Sequence, residues 1–460
     1  MSNRRKRNVG RDNKKNKPGS REYLMKKAAI AKIVVFSVML LTGMVISFMM
    51  PLRPRVSESE NRVLAAFPQF KVESFMDGTY FGEIDRWYSD TFPFRDGLLA
   101  CNDKFTSLYG IRDSVVHGEI VAGDDIPDVD LDDIMNPGTD KGEDVYEDSD
   151  YADDDIVTDT TEDKGETFGS ILVYGDSAYE YYVYSQKNAD TYVNVVNNLA
   201  AKLTGKASFH NVIIPVSMDI TLPDSIRSGI TTSDQRKAIL YMYSKMGSAV
   251  NKTFIFDMLK SHNSEYIYFR TDHHWTSLAA YYTYCMMAPQ LGITPNTLNS
   301  YEKKEFTGFQ GSFYKSTKEQ VLINNPDTVT AYVPVSTNSM KYCNEKGQMV
   351  DYKIVSDVSG FQSYNKYSTF IAGDNSYSEI VNPKLNDGSS CLVIKESFGN
   401  ALVPFLVDHY QYVYVVDYRH FDGTILELVD KKNIKNVIMI NNIVATTASD
   451  TLAQMKKVCR

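Results

Sequence analysis

Residues 391–440 read CLVIKESFGNALVPFLVDHYQYVYVVDYRHFDGTILELVDKKNIKNVIMI, and this stretch predicts the fold class. Three short apolar runs alternate in it with two segments of helical spacing. The runs are residues 391–395, 412–416 and 436–440, and the helical segments are 401–408 and 425–430. Apolar runs of this length between helices indicate buried parallel strands joined by crossover helices. We therefore expect an α/β fold with a parallel sheet and flanking helices.

The same alternation begins further upstream, at about residue 168. Strands are predicted at residues 170–174 and 209–216, and helices at residues 178–203, 234–246 and 276–287. Residues 301–355 are less regular and have a β-rich composition. This pattern predicts one domain over residues 168–460, large enough to be a catalytic domain.

Charge is distributed unevenly along the 460 residues, whose formal net charge is −9. Residues 1–32 hold twelve Lys and Arg against two acidic residues, whereas residues 119–166 hold twenty Asp and Glu against two Lys. The rest of the chain is close to neutral, so nothing in it indicates a nucleic-acid surface. We expect a disordered basic tail over residues 1–27 and a disordered acidic insert over residues 119–167. Residues 51–118 are expected to form the N-terminal part of the domain.

An apolar segment follows the basic tail. Residues 33–50 are IVVFSVMLLTGMVISFMM, eighteen residues without a charge. With the apolar residues back to Ala28, this segment predicts a single transmembrane helix over residues 28–50. No small-residue cleavage site follows, so an uncleaved signal anchor is favoured and a cleaved signal peptide is the alternative. The basic flank predicts a cytoplasmic N-terminus and a catalytic domain outside the cell membrane.

The five cysteines are scattered and indicate no special chemistry. They contain no CxxC pair and are odd in number: Cys101, Cys285, Cys343, Cys391 and Cys459. This spacing fits neither a disulfide scaffold nor a zinc site. We expect no metal and no cofactor.

The clearest chemistry lies in Thr271-Asp272-His273-His274-Trp275. In an extended segment residues i and i+2 point to the same face, so Asp272 can contact His274 and fix the tautomer of its ring. On the same assumption His273 points away from both, and Trp275 is most simply a core residue. A carboxylate–imidazole pair activates a nucleophile, so we expect a serine to complete the site.

Three serines compete for that role: Ser177 in Gly-Asp-Ser, Ser376 in Gly-Asp-Asn-Ser, and Ser397 in Glu-Ser-Phe-Gly-Asn. Ser177 and Ser397 each follow a predicted strand, and chemistry in open α/β sheets gathers at the carboxyl ends of strands. Ser397 is favoured, because a helix begins after it and its N-terminus offers backbone donors for an oxyanion. A simple helix cap remains the structural interpretation of either serine.

Three motifs together resemble those of the DHHW protein family. They are Asp272-His273-His274-Trp275, Glu396-Ser397-Phe398-Gly399-Asn400 and Asp417-Tyr418-Arg419-His420. Ser-Glu-Asn-Arg at residues 59–62 and Asp-x-Phe-Pro-x-Arg at residues 90–95 resemble its N-terminal pattern. The family is similar to the SGNH-hydrolase-like domain of the periplasmic alginate O-acetylation proteins, in which Asp-x-His precedes the serine. The resemblance covers residue 57 to the C-terminus except the acidic insert.

This resemblance implies a permuted SGNH-hydrolase-like fold and assigns three roles. Ser397 is the nucleophile, His274 the general base and Asp272 the residue that orients it. Ser177 then becomes a turn residue. Glu396 departs from the related proteins, which have Gly-Asp before the serine, and its carboxylate must point away from a developing oxyanion.

Four further residues are candidates for binding the substrate or the oxyanion. Arg419 can bind an oxyanion or a uronate carboxylate, or it can form a salt bridge with a neighbouring aspartate. Asn400 can donate to the oxyanion or serve as a polar residue of a helix turn. Gly311 offers a backbone donor or simply a turn. Tyr418 is the fourth candidate, beside Arg419.

The resemblance implies an O-acetyltransferase that acts on a cell-surface or exported polysaccharide through an acyl-serine intermediate. It also implies a membrane-bound O-acyltransferase as the partner that delivers the acetyl group. A carbohydrate O-acetyl esterase with the same triad is one alternative. A catalytically inactive glycan-binding or assembly protein is another.

Overall fold

The computed structural model describes residues 21–48, 53, 56–57, 62–71, 74–75, 79–94, 114–129 and 169–460. The chain divides into two compact units, Met1–Ile111 and Arg112–Arg460. Several predicted features lie outside the described residues: most of the basic tail, residues 59–61 of the Ser-Glu-Asn-Arg pattern, Arg95, and residues 130–167 of the acidic insert.

The first unit contains two helices and a two-stranded sheet among its described residues. Helix α1 is Arg21–Phe48, helix α2 is Thr79–Asp90, and strands β1 (Val56–Ser57) and β2 (Arg62–Val63) pair antiparallel. In the part of the chain that the structure describes, no helix combines the length and the apolar character that a membrane crossing requires. The segment predicted to cross the membrane, residues 28–50, coincides with part of α1 as far as Phe48, and residues 49–50 lie outside the described residues.

The second unit holds the remaining elements. Its strands are β3 Ser114–His117, β4 Ile171–Tyr174, β5 Ser177–Glu180, β6 Ser208–Ile214, β7 Val250–Lys252, β8 Glu302–Phe309, β9 Asp327–Val333, β10 Ser339–Cys343, β11 Met349–Lys353, β12 Tyr377–Val381, β13 Ser390–Lys395, β14 Tyr412–Asp417 and β15 Asn436–Asn442. Its α-helices are α3 Gln186–Leu203, α4 Ser217–Ile220, α5 Asp224–Arg227, α6 Gln235–Lys245, α7 Phe256–Ser261, α8 Ser277–Leu291, α9 Ser312–Thr317, α10 Gln320–Asn324, α11 Val403–Leu406, α12 Ile425–Lys432 and α13 Ser449–Cys459. Short 3₁₀ helices lie at Leu298–Ser300, Ser363–Thr369, Ser397–Ala401, Val407–His409 and Ile443–Thr446.

The central sheet has eight strands in the order β11-β10-β12-β14-β13-β15-β6-β7. The five strands from β14 to β7 are parallel, as the apolar runs predict. Every residue of the central strand β13 is buried, which explains the apolar run between its first and last residues.

The other three strands correct the expectation of a purely parallel sheet. Strand β12 is antiparallel to β14, and β10 is antiparallel to both β12 and β11. The connection from β10 to β11 is five residues long, whereas a parallel pair needs a crossover of about a dozen residues or more. The fold is therefore mixed α/β.

Two further antiparallel sheets lie outside the central one, β3-β4-β5 and β8-β9. Gly175 and Asp176 form the turn between β4 and β5, and Gly175 has φ +61°, which favours glycine in such a hairpin turn. Ser177 is therefore the first residue of a strand. The helix predicted to begin at residue 178 begins at Gln186 instead.

The core lies on both faces of the central sheet. Helix α3 packs against it through a stripe that includes Tyr192, Val196 and Leu199, which follow helical spacing. Ile126 and Val129 also pack against this core, and the Asp124 amide donates to the Tyr184 carbonyl at 2.9 Å. The described start of the acidic segment thus packs on the domain, although its composition predicts disorder.

Candidate active site

The Asp272–His274 contact forms in a compact loop. Tyr268 and Trp275 are joined by an isolated antiparallel bridge, and the Phe269 amide donates to the His274 carbonyl at 3.2 Å. Oδ1 of Asp272 accepts the His274 backbone amide at 3.0 Å, as aspartates do in tight turns. The predicted contact is present, but the premise of an extended backbone is wrong.

Asp272, His274 and Ser397 form a continuous chain of hydrogen bonds. Nδ1 of His274 lies 2.6 Å from Oδ1 of Asp272, and Nε2 lies 2.7 Å from Oγ of Ser397. The three residues are only 5%, 5% and 4% exposed. Ser397 lies two residues past the end of β13 and opens a 3₁₀ helix, so the central strand brings it to the carboxyl edge of the sheet.

The second carboxylate oxygen of Asp272 is also engaged. Oδ2 accepts the backbone amide of Ser312 at 2.8 Å and its hydroxyl at 2.9 Å. Burial alone would raise the pKa of the Asp272 carboxyl. The nearby charges of His274 and His273 and the hydrogen bonds from His274 and Ser312 outweigh burial and hold this pKa below its ordinary value. The carboxylate therefore stays ionised and keeps the His274 ring in place.

Gly311 lies against this carboxylate. A Cβ atom at Gly311 would lie 2.2 Å from both Cβ and Oδ2 of Asp272, a distance that real side chains do not tolerate. Its amide donates to Oγ1 of Thr271 at 3.1 Å, so the structure shows that amide engaged within the loop. Gly311 thus permits the close approach of α9 to Asp272.

His273 also departs from its prediction. Its ring centroid lies 3.8 Å from that of His274, and its Nδ1 lies 2.7 Å from Oγ of Ser312. Asp272, His273 and His274 carry potential metal-ligand atoms within 4.8 Å of one another. The ring nitrogens of His274 and the carboxylate oxygens of Asp272 already form the hydrogen bonds described above. This arrangement suits proton transfer better than metal binding.

Two aromatic residues complete the surroundings of His274. The Tyr367 ring stacks on it, with centroids 4.0 Å apart and planes 15° apart, and the Tyr367 hydroxyl donates to the Ser397 carbonyl at 3.3 Å. Trp275 is fully buried and donates from Nε1 to the Phe398 carbonyl at 2.9 Å, which agrees with a core role. Sequence reasoning missed Tyr367, since no local pattern marks it.

Asp327, at the start of β9, was also missed. It is fully buried, and its Oδ2 accepts the amide and hydroxyl of Thr271 at 2.7 and 2.6 Å, while Oδ1 accepts the Arg270 amide at 3.1 Å. Burial raises its pKa, against the effect of these hydrogen bonds. Asp327 holds the loop in front of Asp272, and its partners lie more than fifty positions away in the chain.

The Glu396 carboxylate points toward the Ser397 hydroxyl, whereas a developing oxyanion requires it to point away. Its Oε2 lies 3.1 Å from the Ser397 hydroxyl and accepts the Phe398 amide at 3.0 Å, and its Oε1 accepts the Asn442 amide at 2.9 Å. The carboxylate caps the 3₁₀ helix and occupies a backbone donor next to Ser397.

Arg419 and Asn400 belong to a charged cluster centred on Asp374. The Arg419 guanidinium bonds Asp417 at 2.7 Å and Asp374 at 2.9 Å, so the salt-bridge interpretation describes its geometry. Asn400 donates to Asp374 at 2.9 Å, and the fully buried Lys395 lies 2.8 Å from Asp417 and 3.2 Å from Asp374. Burial opposes ionisation of Asp374, but Lys395 and Arg419 outweigh it and lower the pKa of this carboxyl.

Tyr418 lies behind the site, only 1% exposed. Its hydroxyl and Oδ1 of Asn400 are buried and have no hydrogen-bond partner within the described part of the chain.

Of the two other serines, Ser177 donates to its neighbour Asp176 in the hairpin, and Ser376 lies just before β12. The Gly-Asp-Asn-Ser segment therefore contributes its aspartate rather than its serine.

The mixed α/β fold thus places a serine at the carboxyl edge of its central parallel strands and hydrogen-bonds it to an Asp-x-His pair from a separate loop. The family model described as DHHW protein matches residues 60–137 and 134–416. The chain belongs to the DHHW family.

Two solved structures with TM-scores above 0.5 share this fold. A DHHW family protein from Eubacterium siraeum matches with a TM-score of 0.56 and 24% identity, over 64% of this chain and 97% of that one. PatB1 from Bacillus cereus, solved with a sulfonyl adduct, matches with a TM-score of 0.52 and 18% identity, over 61% of this chain and 97% of its own. The O-acetyltransferase domain of AlgJ from Pseudomonas putida matches with a TM-score of 0.36 and 11% identity, over 61% and 96%. No match is found among curated proteins.

Proposed function

We propose that this protein is an extracytoplasmic serine O-acetyltransferase that acts on a cell-surface or exported polysaccharide. The observation that carries the proposal is the hydrogen-bonded chain from Asp272 through His274 to Ser397, with links of 2.6 and 2.7 Å. It has the order and distances that activate a serine hydroxyl. The acetyl group and the polysaccharide come from the resemblance of the DHHW family to the alginate O-acetylation proteins.

The reaction proceeds in two balanced steps. Oγ of Ser397 attacks the acetyl carbonyl while its proton passes to Nε2 of His274, and the leaving group takes that proton as the bond to the acetyl carbon breaks. A sugar hydroxyl then attacks the acyl-serine and passes its proton to His274. The Ser397–acetyl bond breaks, and Oγ regains the proton. Asp272 stabilises the imidazolium in both steps.

Transfer requires a sugar hydroxyl to outcompete water at the acyl-serine, so the bound acceptor has to exclude water from the site. Ser397 and His274 are only 4% and 5% exposed, so a small part of each is open to an acceptor. The proposed donor is an acetyl group delivered by a membrane-bound O-acyltransferase. The extracytoplasmic location and the membrane association of the N-terminal segment are part of the proposal.

Covalent labelling tests the nucleophile. We expect methanesulfonyl fluoride to add one sulfonyl group to the full chain at Ser397, located by peptide mass spectrometry. Ser397→Ala should lose the label and lower turnover of p-nitrophenyl acetate by about 10³-fold or more. Ser177→Ala is the matched control and should behave as the parent does.

The outcomes separate the possible functions. Labelling at Ser177, or equal ester turnover in the parent and Ser397→Ala, would refute the assignment. An active serine that releases acetate from acetylated oligosaccharides, and transfers none to unacetylated ones, would identify an esterase. A parent with neither label nor turnover would point to a glycan-binding or assembly protein.

A further inference from the structure

Two exposed aromatic residues lie three positions apart in the chain, just before Tyr367, the residue whose ring stacks on His274. Phe361 and Tyr364 are 43% and 42% exposed. Within residues 169–460, Tyr266 at 39% is the one other Phe, Tyr or Trp exposed to this degree. An exposed aromatic ring offers a flat apolar face on which a ligand can stack.

The 3₁₀ helix Ser363–Thr369 places Tyr364 next to His274. Side chains three residues apart eclipse each other in a 3₁₀ helix, so Tyr364 lies on the same side as Tyr367, about 6 Å further along the axis. Tyr367 in turn stacks on the His274 ring. Tyr364 is therefore an exposed ring one helical turn from the ring that covers the general base.

Helix α9, which donates hydrogen bonds to Asp272, also lies close to Tyr364. The Gln310 amide donates to the Ser363 carbonyl at 3.3 Å, which ties the 3₁₀ helix to the start of α9. From α9, the exposed Lys315 places its ammonium 5.9 Å from the centre of the Tyr364 ring. The Tyr364 ring and the Lys315 ammonium thus lie close to each other, and each belongs to an element that contacts the triad.

We infer that Tyr364 is an acceptor-binding residue, on which a sugar ring next to the acetylated one stacks. This inference rests on the proposed function, because it places the sugar chain relative to Ser397. The tyrosine ring supplies a rigid apolar face with little conformational entropy to lose, and the apolar face of a pyranose is its natural complement. The Lys315 ammonium donates to a hydroxyl or carboxylate of the bound ring.

Binding is measured in the full chain carrying Ser397→Ala, so acyl transfer plays no part. The probes are a neutral β-1,4-linked glucose hexasaccharide and a β-1,4-linked mannuronate hexasaccharide, followed by calorimetry. We expect at least one probe to bind, and the added Tyr364→Ala change to weaken it about tenfold. Tyr364→Phe keeps the ring and should stay within about twofold.

Tyr412→Ala is the control. Tyr412 is a half-buried tyrosine at the amino end of β14, about 20 Å along the strand from the edge that carries Ser397. It should leave binding unchanged. The inference is refuted if neither probe binds, or if Tyr364→Ala binds as well as its parent.

A second readout separates this inference from the proposed function. With an active Ser397, Tyr364→Ala should raise the KM for the hexasaccharide as acetyl acceptor about tenfold, and Tyr364→Phe should stay within about twofold of the parent. If the parent shows no labelling at all, the proposed function fails. The binding comparison alone then decides the role of Tyr364.

Discussion

At the scale of single residues, the candidate site depends on how completely Asp272 is held. Its two oxygens accept four hydrogen bonds, two from His274 and two from Ser312. The carboxylate therefore has one position relative to the imidazole. Gly311 is the residue that makes this approach possible, because any Cβ would overlap Asp272.

Gly311→Ala should therefore displace Asp272 or α9. We expect kcat/KM for p-nitrophenyl acetate to fall about 100-fold, since a displacement of about 1 Å at a catalytic group has this effect. Steady-state kinetics with a thermal-unfolding curve at pH 7 measure the effect.

Gly360→Ala is the matched change, because a Cβ there meets no atom within 4 Å. It should leave kinetics and melting temperature as in the parent. Parent-like kinetics in Gly311→Ala would contradict the steric role of Gly311.

At the scale of elements, four separate parts of the chain assemble the site. The loop 268–275 supplies Asp272 and His274, the end of β13 supplies Ser397, α9 supplies the Ser312 donors, and β9 holds the loop through Asp327.

The parallel strands provide the fixed frame, and one of them, β6, carries a buried titratable group. His210 has no exposed surface, and burial lowers its pKa to about 4.

The stability of the fold should consequently depend on pH through β6. The unfolded chain binds a proton at His210 near pH 6.5 whereas the folded chain does not bind it until about pH 4, so stability falls as the pH falls through this window. Between pH 7 and pH 5 the loss from this group is about 2 kcal/mol. Urea unfolding of the parent and of His210→Gln at both pH values measures it.

The variant should lose less stability than the parent on acidification, whatever its absolute stability. His420→Gln, at an exposed position, should show the pH dependence of the parent. Equal losses in the parent and in His210→Gln would show that His210 is not held neutral by burial.

At the scale of the whole molecule, the triad and every contact described for it lie within the unit Arg112–Arg460. The central sheet, its covering helices and the described start of the acidic segment belong to the same unit. The chemistry should therefore reside in this unit alone.

A chain of residues 112–460 should label at Ser397 with methanesulfonyl fluoride at the rate of the full chain, to within about threefold. Far-ultraviolet circular dichroism establishes that the fragment is folded, and its Ser397→Ala form is the unreactive control. A folded fragment without labelling would mean that residues 1–111 contribute to the site.

Local sequence determined the features that depend on neighbouring residues. The apolar runs at 391–395, 412–416 and 436–440 are parallel strands, because a strand covered on both faces consists mostly of apolar residues. Asp272 and His274 meet because they are two positions apart. The antiparallel strands β10 to β12 were less visible, since short half-buried strands carry a weak pattern.

Only the tertiary structure decided which polar groups are paired. The Asp374 carboxylate binds Arg419 and Asn400. The Glu396 carboxylate accepts a hydrogen bond from the Ser397 hydroxyl. Gly311 leaves the space that the Asp272 side chain occupies. Most of these partners are separated by 26 to 45 positions in the chain. A buried polar group must find a partner wherever the fold brings one, and chain distance carries no information about that choice.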